Sequence, residues 1–155
     1  MKKFYFFLST LYFSYLVPVF GQIVNEGTFK IMNGTEVYFG NEYTNKSGAN
    51  HNNEGNLHLN HNFINNGTTS VPTSGTTYFN SSVNTTQSIS GSTNSCNFYN
   101  LEVNLTNVSK KGVSVADNFG LFVENQVTLT SGDLRLVGEA QLIQTNNIAN
   151  SGPEK

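Results

Sequence analysis

Apolar residues in this chain recur in short alternating runs, not in helical stripes. The densest stretch is Phe98 to Thr145, where Leu101-Val103-Leu105, Val113-Val115, Leu121-Val123, Val127-Leu129 and Leu134-Leu136 follow one another. Asn, Gly, Ser and Lys-Gly corners separate them. A period of two marks strands with one buried face, and no intervening segment carries a helical period. Upstream, Thr28–Ile31 and Glu36–Phe39 read as strands joined by the turn Asn33-Gly34. Leu57 with Leu59, Phe63-Ile64, Tyr78-Phe79 and Val83 continue the pattern more sparsely. Gly40–Asn56 reads as a polar loop or loosely held coil, and Ser81–Ser95 as a hydroxyl-rich coil or loop.

Strands this short and this regularly punctuated suggest a repeat. A step of 20 residues gives one ladder through Ile23, Tyr43, Phe63, Val83, Val103, Val123 and Ile143. A second runs through Phe39, Leu59, Phe79, Tyr99 and Phe119 and breaks at Glu139. Like residues stacked on like residues, one turn of chain per coil, is the physical content of a solenoid. The expected fold is all-β: a right-handed parallel β-helix with about 20 residues per coil. Val103, Val123 and Ile143 would then share one column inside it. The alternative is an antiparallel β-sandwich, whose strands recur at about half that spacing. The expected division is 1–21 signal peptide, 22–56 N-terminal cap and polar loop, 57–145 solenoid coils and 146–155 flexible C-terminal end.

Composition narrows the setting. Lys2-Lys3, the apolar run Phe4–Val17 and the small residue of Val19-Phe20-Gly21 form a secretory signal peptide, with Gln22 as the new N-terminus. The apolar run is shorter than the roughly 20 residues of a membrane span and ends at Pro18. The mature chain is therefore expected to be secreted or attached to the cell surface, with no membrane span. Net charge is −2, and loss of Lys2 and Lys3 takes it to −4, with only 12% of residues charged. No basic patch exists to engage nucleic acid or an anionic membrane. Carbohydrate or other cell-surface components are the expected partners, through a surface rich in Asn, Thr, Ser and aromatics.

Candidate chemistry is sparse. The single cysteine, Cys96, forms no internal disulfide and reads as a buried filler or loop residue. His51, His58 and His61 lie close to Glu54 in HNNEGNLHLNH, four metal-ligating types together. His58 and His61 point to opposite faces of a strand, and His58, alternating with Leu57 and Leu59, faces solvent. Glu102, Asp117 and Glu124 are the only acids placed to form a glycosidase-like pair, and they read better as solvated side chains. No catalytic or metal site and no cofactor is expected. Sequons such as Asn33-Gly34-Thr35, Asn66-Gly67-Thr68 and Asn104-Leu105-Thr106 follow from the abundance of Asn and Thr.

The runs GSTNSCNFYNLEVNL and GVSVADNFGLFVENQVTLTSGDLRLVGEAQLIQT carry a family resemblance. Phe98, Asn100, Leu101 and Val103, then Leu121, Val123, Val127, Leu129, Gly132, Leu134 and Leu136, resemble the repeats of secreted surface proteins of Bacteroidota-type bacteria. The similarity covers roughly Gly91 to Pro153. It implies a large adhesin-like β-solenoid exported by a type IX route through a C-terminal sorting domain, with no catalytic residues to carry over. This sequence departs from the pattern in having no such domain, so the chain reads as an N-terminal portion that continues into further domains. The functional expectation is a secreted or cell-surface adhesin-like or structural solenoid segment without catalysis. The alternatives are the non-catalytic part of a secreted polysaccharide-active enzyme, or a small carbohydrate-binding β-sandwich.

Overall fold

The computed structural model describes residues 21–82, 86–106 and 112–145. The signal peptide (save Gly21), Val83 and the 146–155 end lie outside them. Every element among the described residues is a strand, and every pairing is parallel. The first coil is β1 (Ile23–Asn25), β2 (Thr28–Ile31) and β3 (Glu36–Phe39). The second is β4 (Tyr43–Asn45), β5 (Asn50–Asn53) and β6 (Asn56–Leu59), and the third is β7 (Phe63–Asn65), β8 (Thr68–Thr69) and β9 (Thr76–Phe79). Next come β10 (Gln87–Ser90) with β11 (Ser95–Asn104), then β12 (Gly112–Val115) with β13 (Gly120–Ser131). β14 (Asp133–Leu136) and β15 (Gln141–Gln144) begin a further turn. This is a parallel β-solenoid of about 5 turns, and the antiparallel sandwich is excluded by the direction of its strands.

Three faces run along the stack. One is β1-β4-β7-β10-β12-β14. The second is β2-β5-β8, and the third joins β3, β6, β9, β11, β13 and β15. The long strands β11 and β13 bend to serve two faces. Their register shifts between Phe98 and Asn100, so Tyr99 sits at a bulge. Ahead of it, Asn97 bonds back to Thr69 of β8, continuing the second face.

Two sequence expectations fail here. Thr28–Ile31, Glu36–Phe39 and the turn between them form as read, but they belong to the coils of the stack and are not a separate cap, because β2 and β3 lie in different sheets and pair onward with β5 and β6. Asn33-Gly34, with Gly34 at φ 78, is the corner between them. The coils therefore begin at Ile23, not at Leu57, and take in Gly40–Asn56 as β4 and β5. Ser81–Ser95 likewise contains β10.

The second correction concerns register. Ile23, Tyr43 and Phe63 do form one column, a step of 20, but the next member is Ile89 of β10, a step of 26. Val115 and Leu136 follow it. Phe39, Leu59 and Phe79 are succeeded by Val103, not Tyr99. Val103 and Val123 are both fully buried on adjacent parallel strands, yet Val103 faces Leu129 and Val123 faces Phe98. Ile143 is outside the core, 41% exposed beside Phe122. The physical reason is corner length. Strand pairing fixes the spacing along the axis, but the chain between strands can lengthen at little entropic cost. A fixed step therefore loses phase once a corner grows.

The core changes character along the axis. Phe29, Phe39, Tyr43, His51 and Phe63 crowd the first coils, and Phe98 meets Phe63 edge-on with centroids 5.4 Å apart. Ile89, Leu101, Val103, Val113, Val115, Leu121 and Val123 fill the later ones. Cys96 is fully buried in the column with Leu121 and Leu142. Gly91, at φ 147, lies so close to Asn65 that a Cβ would come within 1.8 Å of its carbonyl oxygen, so only glycine fits there.

Candidate functional site

Polar side chains form ladders of their own. Inside the first coils, Asn25 Nδ2 donates to Asn45 Oδ1 and Asn45 Nδ2 donates to Asn65 Oδ1, both at 2.8 Å. Each amide also donates to the carbonyl of the first residue of a strand in the next coil: Asn50, Thr68 and Ser95 respectively. Asn45 and Asn65 are buried, and the ladder satisfies backbone groups that the corners would otherwise leave unpaired. Gln87, also buried, donates to the carbonyls of Leu59 and His61.

The outward side of the third face carries an aromatic ladder. Tyr38, His58 and Tyr78 are consecutive in register. Their rings lie nearly parallel, at 7° and 4°, with centroids 4.2 and 4.5 Å apart. Glu36 Oε2 lies 2.7 Å from His58 Nε2, and Asn80 Nδ2 lies 2.9 Å from Nδ1. Hydrogen bonds from Asn56 and then His58 hold the Glu36 carboxyl below its ordinary range. Tyr38 is on the outermost strand and 69% exposed.

The three histidines do not converge. His58 faces outward as its alternation predicts, although the two tyrosines cover most of it, leaving its side chain 15% exposed. His51 points inward on β5 and is buried beside Phe29 and Tyr43. Its Nδ1 is 2.9 Å from the Tyr43 hydroxyl, and its Nε2 is buried without a hydrogen-bond partner. Burial lowers the His51 pKa to about 4 and raises that of Tyr43. His61 lies at a corner beside Gln22 and Glu42. Glu54 is ion-paired to Lys30 at 2.9 Å, and that contact lowers its pKa. Among the described residues no three metal-ligating side chains come together.

The candidate acids also have separate surroundings. Glu102 accepts from Thr130 Oγ1 at 3.0 Å on the sheet face. Asp117 accepts the Glu139 N–H at 2.8 Å in the corner after β12. Glu124 accepts from Thr145 Oγ1 at 3.3 Å at the bend of β13. Cys96 is the buried filler its isolation predicts, and burial raises its thiol pKa well above the usual range, away from the reactive thiolate. Sequence reasoning missed the inward Asn ladder and the stacked Tyr-His-Tyr column. The recurrence of Asn25, Asn45 and Asn65 at the same step of 20 carried the signal, hidden because inward positions are ordinarily marked by apolar residues.

Stacked parallel coils, internal amide ladders and outward polar columns define the class of protein, a parallel β-solenoid. Comparison with known proteins found no matching family model, no matching curated protein and no matching solved structure.

Proposed function

We propose that this chain is a segment of an exported, cell-surface β-solenoid with an adhesive or structural role and no catalysis. The observation that carries the reading is the repetition of neutral hydrogen-bonding groups along the outer faces. Asn50 pairs with Ser70, Asn100 with Thr76, and Asn125 with Asn100, each one coil apart. Such columns offer a partner the same weak contact again and again, and avidity then replaces a single deep site. They also brace the coils against one another, as a structural role requires. Few charges interrupt them, which suits neutral surface polymers better than nucleic acid.

Export rests on the N-terminal residues. The test is proteolysis of intact cells that make the protein, with mass spectrometry of the recovered chain. A protease-accessible product beginning at Gln22 is expected. A protected cytosolic product that keeps Met1 to Gly21 would overturn the proposal.

A further inference from the structure

Where β11, β13 and β15 begin, two outward columns run side by side. One is Ser95, Gly120 and Gln141, and the other is Asn97, Phe122 and Ile143. Gly120 puts a gap in the first column. Phe122 leans over it, because a Cβ on Gly120 would meet the ring at 3.0 Å. The gap opens into a groove of about 380 Å³. Asn94 and Asn118, both left-handed at φ 56 and 55, form its far wall. That corner is fixed by the backbone, since Gly120 N–H donates to the Asn94 carbonyl at 2.7 Å. Gln141 and Glu139 border the near side. Phe122 is half-buried and Ile143 is 41% exposed, an apolar pair where an outer column would ordinarily be polar.

We propose that this groove binds a neutral saccharide unit of a surface or extracellular glycan. One face of a pyranose is apolar C–H and its rim is hydroxyl. The Phe122 ring with Ile143 matches the face, and the amides of Asn94, Asn118 and Gln141 match the rim. The volume falls near the lower end of the roughly 300–1,000 Å³ of small-molecule sites, the size of one or two sugar rings. Among the described residues that line it Glu139 alone is charged, and it is negative, so an acidic sugar is disfavoured. The Tyr38-His58-Tyr78 ladder is the poorer platform, because stacking takes up both faces of His58 and the inner faces of the two tyrosines. This site deepens the adhesive reading, but its binding is measured on the purified chain, independently of export.

The probes are chitohexaose, laminarihexaose and mannohexaose, with hexagalacturonate as the acidic comparison. Each is titrated into the isotopically labelled mature chain, and amide shifts are followed by NMR. At least one neutral hexamer is expected to shift Gly120, Phe122 and Gln141 saturably, and the acidic one is not. Phe122→Ala should weaken binding by about tenfold or more, while Phe122→Tyr, which keeps the ring, stays within about threefold. Unchanged amides over Ile23–Asn45 certify the fold of each variant. If Phe122→Ala fails that check, Gln141→Ala, on the exposed side, should show the weakening instead. No shift at these amides with any neutral hexamer, binding of hexagalacturonate alone, or undiminished binding by a folded Phe122→Ala would overturn the proposal.

Discussion

A single imidazole shows how far the interior governs chemistry. His51 sits among aromatic rings, and in either tautomer one ring nitrogen has no partner. Without water around it the protonated form is penalised, so its pKa falls to about 4. In the unfolded chain the same group titrates near 6.5, its ordinary value. The folded pKa is therefore depressed below the unfolded one for a base. Above about pH 6.5 His51 is neutral in both states and its contribution is constant. As pH falls from about 6.5 toward 4 only the unfolded state takes up the proton, and stability declines by roughly 3 kcal/mol across that window. Glu26, Glu36 and Glu54, held low by Lys46, by Asn56 and His58, and by Lys30, add a loss of the same sign at lower pH. Urea unfolding at a series of pH values should show this slope in the natural chain and lose the His51 part of it in His51→Phe. Identical profiles for the two would contradict the burial of a neutral His51. Little of this is legible in the sequence, because NHNN offers no apolar alternation and inward positions are found by their hydrophobicity.

At the scale of elements, a strand of three residues gains little from its own ladder, so side chains must fix its neighbours. β1, β4 and β7 are held by the Asn25-Asn45-Asn65 chain of amides. Removing its middle member strips a partner from both flanking amides and from the Thr68 carbonyl, in a site closed to water. Asn45→Ala should therefore cost roughly 2–4 kcal/mol of unfolding free energy. Asn60→Ala, on an exposed corner, should stay within about 0.5 kcal/mol. Chemical denaturation of the pair checks this, and a near-silent Asn45→Ala would show that the ladder is incidental. Strand existence was legible wherever apolar alternation was strict, as in Leu101-Val103 and Leu121-Val123. β4, β5 and β10 were not, since their inward residues include Asn45, His51, Asn53 and Gln87. The outward groove was hidden for another reason. Ile143 reads as a core member of the step-of-20 column, and only the register sets it beside Phe122 on the wet face.

For the whole molecule, parallel stacking was legible in the repeat, and the uniform step was not. Strand pairing conserves which face points inward, while the corners between strands vary freely in length. Coils lengthen after β9, and the 20-residue ladders then connect residues that no longer meet: Val103 belongs with Leu129, and Glu102 with Thr128. Stacking direction and register can be tested together with engineered disulfides in a Cys96→Ala background. Neighbours on the same face of adjacent strands have Cα atoms near 4.8 Å apart, within the roughly 4.4–6.8 Å that a disulfide spans. Glu102→Cys with Thr128→Cys should close an intramolecular bond on mild oxidation, visible as faster migration on non-reducing gels and as a loss of two hydrogens in the intact mass. Glu102→Cys with Phe122→Cys, the pair a constant step of 20 would bring together, should stay reduced. Closure of the second pair and not the first would contradict the solenoid register described here.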